Sequence, residues 1–219
     1  MRGAFAARSG FVPLLDVWNE SPNMEGRDDQ LSWGRQVVAF AVEHRIPVVI
    51  MIVRWDCKMG GPEEPYKPSP PVFIRDEKTA LSSANDAQRV FCDGIRRTMF
   101  ELKKHGTAVW IVRQPPVQPH GVIEGVKRTA SWQGKCDQRG VSAEDYFNQQ
   151  LNFENALTQC SDNAVRVVGP ADALFDKQGY TRVTDGRSPW YWDDDHVNEV
   201  GAEQLIRPLL DPLFSTFSQ

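Results

Sequence analysis

The sequence predicts one α/β domain over residues 1–219, with a mostly parallel sheet between two layers of helices. Three observations carry that prediction. Stretches of helical apolar periodicity alternate with short apolar runs, and strands joined through helices form parallel sheets by right-handed crossovers. Residues 46–53, Ile-Pro-Val-Val-Ile-Met-Ile-Val, are apolar on both faces, which suits a strand in the middle of a sheet covered above and below. Two proline-rich segments, 58–81 and 113–120, each follow a strand-like run, at the edge where open α/β sheets place their ligand crevice.

Length and charge narrow the functional classes. The 219 residues fit a single domain, with about 150 residues per domain as a loose guide. Hydrophobic residues make up 41% and charged ones 25%, the balance of a chain able to bury a core. Net charge is −4 and the basic residues are scattered, which argues against a nucleic-acid surface. No apolar run reaches the ~20 residues needed to cross a bilayer. The start of the chain lacks the ~7–15-residue apolar core of a signal peptide. Cys57, Cys92, Cys136 and Cys160 show no metal-type spacing. A Cys57–Cys92 disulfide stapling the loop between them and free buried thiols both fit that pattern.

In chain order, residues 4–8 read as a short strand ended by Ser9-Gly10. A polar loop leads to a helix capped by Asp28 or Asp29, with Leu31, Val37, Val38, Ala41 and Val42 on its apolar side and His44-Arg45 at its cationic end. After the strand at 46–53, Arg54-Trp55-Asp56-Cys57 stands at the carboxyl edge of the sheet. Arg54 is there either a site residue or an arginine stacked on Trp55 at the surface. Segment 58–81, with Pro62, Pro65, Pro68, Pro70 and Pro71, is longer than the ~12–15 residues of ordinary loops and reads as a lid over the crevice. Ser83 with Asp86 forms a capping box with the shorter acid and opens a helix to about His105, stopped by Gly106. Val90, Phe91, Ile95, Met99 and Leu102 form its apolar stripe. Residues 107–112 make the next strand, and His120 beyond it either faces the crevice or is a surface histidine. Ser142 with Asp145 opens a helix to about Gln159, residues 164–168 form a further strand, and 179–187 a hairpin or meander that delivers the chain to Asp193.

The densest polar chemistry is Tyr191-Trp192-Asp193-Asp194-Asp195-His196, ahead of helically spaced Val200, Leu205, Ile206, Leu209 and Leu210. Unpaired N–H groups at a helix N-terminus favour such acids. Asp193 and His196 stand three residues apart across a turn, so the carboxylate can bond one ring nitrogen and leave the other facing a cleft. That pair is two thirds of an acyl-transfer triad. A plain N-cap with solvated neighbours, and a metal site of carboxylates with His196, are the other readings.

Through these residues the sequence resembles the SGNH (GDSL-like) hydrolase superfamily. Within it, the likeness is to the extracytoplasmic SGNH domain of bacterial membrane acyltransferases that O-acetylate polysaccharides. The matching stretches are Tyr191-Trp192-Asp193-Asp194-Asp195-His196 with Gly201-Ala202, Ile50-Met51-Ile52-Val53-Arg54-Trp55, and Trp110-Ile111-Val112 running into Pro115-Pro116. The resemblance implies an SGNH/flavodoxin-like fold, with His196 as general base toward a serine hydroxyl and Asp193 orienting the ring. Arg54 and Trp55 stand near the block whose Asn donates to the oxyanion in that superfamily; that Asn is replaced here, which leaves Arg54 as the donor. The Gly-Asp-Ser block has no counterpart, so the chain is expected to begin after it, without the first strand. Ser9 and Gly10 then fall at the second block, Ser9 as a stand-in nucleophile or the pair as a source of a backbone N–H for the oxyanion. Phe175 and Tyr180 occupy positions where many relatives carry a cysteine pair. The resemblance further implies an acylated carbohydrate substrate, a membrane acyltransferase partner, an extracytoplasmic location and no cofactor.

A comparable triad deprived of its nucleophile loses about 10⁶-fold in turnover, so a chain with Asp193 and His196 alone is expected to be inert. A sheet without its first strand is expected to expose an edge and to oligomerise or aggregate. Two functional classes remain: an SGNH-type esterase or O-acyltransferase domain, and a non-catalytic SGNH-like module that binds glycan or a partner protein. Metal-dependent hydrolysis at the acid cluster is a third. In the catalytic reading the ring of His196 looks into a pocket from the carboxyl edge of the sheet.

Overall fold

The apolar runs and periodic stretches fold as strands and helices in a computed structural model that describes residues 4–19, 26–61, 71–80, 83–119, 121–133, 139–160, 165–169, 174–208 and 210–211. Residues 4–8 do not form the expected strand: they are irregular and exposed, and Phe5 is 93% exposed. Small alanines around one phenylalanine offer little area to bury. The chain enters the core only at Phe11, Val12, Leu14 and Val17, and then forms the short strand β1 (Trp18–Asn19).

Helix α1 (Arg27–Glu43) buries Leu31, Gly34, Val38 and Ala41, positions three or four apart that share one face. Its N-cap is Gly26, so Asp28 and Asp29 lie inside the first turn, where they meet the helix dipole instead of capping. Strand β2 (Val48–Ile52) follows, and β3 (Ile74–Arg75) pairs antiparallel with β1. The base of the expected lid is thereby built into the core, because Met59 bridges Phe73, and Met59, Val72 and Ile74 are buried. Pro62, Pro65, Pro68 and Pro70 lie outside the described residues.

Helix α2 (Ala84–Lys104) opens as its sequence prescribes: the Asp86 N–H donates to Ser83 Oγ at 3.3 Å, and Gly106, at φ 77°, follows its end. Strand β4 (Ala108–Val112) pairs in parallel with β2 on one side and with β5 (Arg166–Val168) on the other. The order β2-β4-β5 makes β4 the central strand and puts β2, expected in the middle, at an edge of the described sheet. Apolarity on both faces reports cover above and below; it does not report pairing on both edges. Ile52, at 57% exposure, shows how lightly the end of β2 is covered.

Alternation along the strands sets the layers. Met51, Val109 and Ile111 join a core with Val38 and Ala41 of α1 and Val90, Phe91 and Ile95 of α2, while Trp110, Val112 and Val168 turn to the opposite face, where Leu210 packs. Between β4 and β5 run α3 (Val122–Gln133), α4 (Ala143–Gln149) and α5 (Leu151–Cys160). Ser142 caps α4 as expected, through the Asp145 N–H at 3.1 Å. The single helix predicted to reach Gln159 is instead broken at Gln150. There Asp56, arriving from the end of β2, takes the N–H groups of Asn152 and Phe153 at 2.7 and 3.1 Å and caps α5 from a distance in sequence.

Asp56 is 3% exposed, and burial outweighs its two backbone bonds and pushes its carboxyl up to about 6. The folded state therefore holds this proton more tightly than the unfolded state, whose value is 3.8. The stability this contributes is full below about pH 4, is lost as pH rises toward 6, and stays lost above, with a slope of at most about 1.4 kcal/mol per pH unit. Asp56→Asn is expected to lose that slope, so that the stability difference between parent and variant changes between pH 4 and 6. Urea midpoints at pH 4 to 8 measure it; parallel profiles would contradict the assignment.

Cys92 on α2 and Cys160 on α5 form a disulfide across 68 positions. This replaces the expected Cys57–Cys92 pairing, and Cys57 is buried. Cys136 is outside the described residues. Trp55, expected at the crevice, is instead 0% exposed between Phe91 and Phe153, at centroid distances of 5.2 and 6.0 Å.

Candidate active site

A second hydrophobic cluster carries the site. Ile123 and Val126 of α3 pack with Leu174, Val183, Trp190, Tyr191 and Leu205. Tyr191 is fully buried and bridges Val197, and the Asn198 N–H donates to the Trp190 carbonyl at 3.0 Å, so the two ends of the acid turn are fixed to one another. The helix that follows, α6 (Glu199–Gly201), continues into a π-helical turn at Ala202–Ile206. Its cap is Asn198, whose side chain accepts from the Gly201 N–H at 2.9 Å, so the acids precede the helix without capping it. A β-carbon on Gly201 would lie 2.1 Å from the Trp190 carbonyl oxygen. Gly201→Ala is therefore expected to cost about 1–3 kcal/mol by overpacking against backbone. Thermal melting measures it, and an unchanged midpoint would show that the turn can give way.

Within the turn, Asp193 organises its own neighbours. Its Oδ1 accepts from the N–H groups of Asp195 and His196 at 3.1 and 2.8 Å, and the imidazole Nδ1 lies 2.9 and 3.0 Å from its two carboxylate oxygens. Burial alone would raise the Asp193 carboxyl, but the two backbone N–H donors and the imidazole prevail and hold it at about 2. An ionised Asp193 can only accept, so Nδ1 is the donor of this contact, and in the neutral ring the lone pair then lies on Nε2, the arrangement a general base needs.

Asp195 was not singled out in the sequence, yet it completes the constellation. Its Oδ1 is 3.0 Å from His196 Nδ1, and its Oδ2 meets Arg54 Nη1 at 2.6 Å. Burial raises its carboxyl, and the Arg54 charge opposes that shift. Arg54, two residues beyond β2, thus lies beside the His196–Asp193 pair, bonded to a carboxylate. The Gln118 N–H, beyond β4, donates to the Asp194 carbonyl at 2.6 Å. The acid turn is in this way tied to the carboxyl ends of both β2 and β4. Ser9 and Gly10 form a turn, with Gly10 at φ 75° and its carbonyl accepting from Asn19 Nδ2. Among the described residues no hydrogen bond joins them to His196, and His120 is not described. The ring, expected to look into a pocket, is largely open: the His196 side chain is 70% exposed. Asp193, Asp195 and His196 could offer a metal three ligand atoms within 4.8 Å of one another. Arg54 already supplies Asp195 with a positive charge, which favours a protein-only dyad.

A family model described as the SGNH domain fused to AT3 domains matches residues 1–211. The chain belongs to that SGNH family. The fold of this SGNH domain is similar to the periplasmic domain of a lipopolysaccharide acetyltransferase from Salmonella ser. Paratyphi A, with a TM-score of 0.53 at 11% identity, over 94% of this chain and 69% of that one. Comparison with curated proteins gave no match. No described helix of the SGNH domain is long and apolar enough to cross a membrane.

Proposed function

We propose that this SGNH domain serves an esterase or O-acyltransferase acting on acylated carbohydrate, with His196 as the general base and Asp193 as the residue that orients it. The observation that carries the reading is the pair of short contacts from His196 Nδ1 to Asp193, which hold the ring through Nδ1 and leave Nε2 as the nitrogen that can take a proton. In the reaction a serine hydroxyl gives its proton to Nε2 while its oxygen attacks the acyl carbonyl; the bond to the sugar oxygen then breaks and that oxygen takes the proton from Nε2, after which water or an acceptor hydroxyl, deprotonated by the same nitrogen, removes the acyl group and the serine oxygen recovers a proton. Among the described residues no hydroxyl hydrogen bonds to His196, so the serine is the part of this machinery that they do not supply. Membership of a family fused to AT3 domains supports work beside a membrane acyltransferase. The Cys92–Cys160 disulfide supports an extracytoplasmic location, since such bonds persist in oxidising compartments.

The open position of His196 also supports a second reading, a non-catalytic module that binds glycan or a partner protein on this face. Release of acetate from O-acetylated oligosaccharides by the natural protein separates the two. The catalytic reading expects turnover that depends on His196. Binding without turnover, unaltered by His196→Ala, would leave the binding module standing.

A further inference from the structure

One side chain beside the dyad has no part in the machinery described so far. Trp190 is 5% and Tyr191 0% exposed, both in the second core, whereas Trp192 is 66% exposed. A single exposed aromatic is ordinary. What sets Trp192 apart is how its backbone is held. Its N–H donates to the His196 carbonyl at 2.7 Å, its own carbonyl accepts from Lys127 Nζ on α3, and the bridge between Tyr191 and Val197 fixes the residue before it. Folding has therefore already ordered the base of this indole, so a ligand that lies on it pays little further entropy. The residue also sits immediately before Asp193, on the turn that presents the imidazole.

We propose that Trp192 is a stacking platform for the sugar ring of the substrate, and so a specificity-determining residue; this rests on the carbohydrate reading above. The negative face of an indole attracts the weakly positive C–H groups on one side of a pyranose, and the indole N–H can meet a ring hydroxyl. An acyl chain fits this place less well, because it would need apolar walls. The turn that carries the indole is instead polar: Asp193 and Asp195 follow it, Arg54 pairs with Asp195, and Lys127 bonds the Trp192 carbonyl. Stacking on Trp192 would leave an ester on the ring free to reach His196 across the turn.

The test is equilibrium binding to the natural protein carrying His196→Ala, so that turnover does not intervene. The probes are O-acetylated oligosaccharides of mannan, glucan and galactan, each before and after saponification. Trp192→Ala is expected to weaken binding about tenfold for both forms, with Trp192→Phe restoring most of it and Trp192→Leu little. Because the indole is exposed, unchanged circular dichroism should accompany the loss. Binding that survives Trp192→Ala overturns the platform and leaves the dyad untouched. A loss confined to the acetylated probes, or full rescue by Leu, overturns the sugar ring in favour of the acyl group. If no probe binds the parent, the carbohydrate reading falls and the platform with it.

Discussion

His196→Ala is expected to lower acetyl-ester turnover by the natural protein about 10⁶-fold, and Asp193→Asn about 10⁴-fold. The two numbers differ because the residues act at different removes from the proton. Without the imidazole nothing takes the hydroxyl proton. With Asn at 193 the imidazole remains, but an amide N–H opposite Nδ1 favours the tautomer that protonates Nε2, the atom required as acceptor. The side-chain oxygen of Asn can still accept from the Asp195 and His196 N–H groups, which lie 3.1 and 2.8 Å from the present carboxylate, so the turn should survive. Asp195 is the second carboxylate near Nδ1, at 3.0 Å, and Asp193→Asn combined with Asp195→Asn should therefore fall below Asp193→Asn alone. Measurement of kcat/KM for the four proteins, with circular dichroism as a control for folding, decides this. Parent-like rates in His196→Ala would end the general-base assignment.

What the sequence made legible was local. Ser83 with Asp86, Ser142 with Asp145, and Asp193 with His196 are each three residues apart, and a turn or cap brings such neighbours together whatever the rest of the chain does. The apolar runs likewise announced β2 and β4. The errors fall where a contact spans the fold. Asp195 was passed over because its partner Arg54 is 141 positions away, and the break before α5 was missed because Asp56 reaches Asn152 across 96. Trp55 was read as crevice-facing from its place at a strand end, but a chain that leaves a strand into a tight helical turn swings alternate side chains back under the sheet, and Trp55 went inward to Phe91 and Phe153. Family resemblance pointed to Asp193 and His196, which the fold holds in contact, but could not say that Arg54 would pair with Asp195.

Loss of the Cys92–Cys160 bond is expected to have the largest effect on stability. Closing a loop across 68 positions removes about 4 kcal/mol of unfolded-state freedom on the loop-entropy account. The bond joins α2 to α5 beside the layer where Phe91 and Phe153 meet edge to face at 5.8 Å, so the two helices keep their packing after reduction and lose mainly the tether. A paired Cys92→Ala and Cys160→Ala change should therefore lower the melting temperature by about 10–15 °C for a chain of this size while leaving the fold in place. Adding reductant to the parent should reproduce the shift. Cys57→Ala supplies the control, because the alternative Cys57–Cys92 pairing would abolish the response to reductant in that variant, whereas the observed pairing leaves it intact. A parent whose melting is indifferent to reductant would mean that the tether constrains nothing the packed α2 and α5 do not already hold.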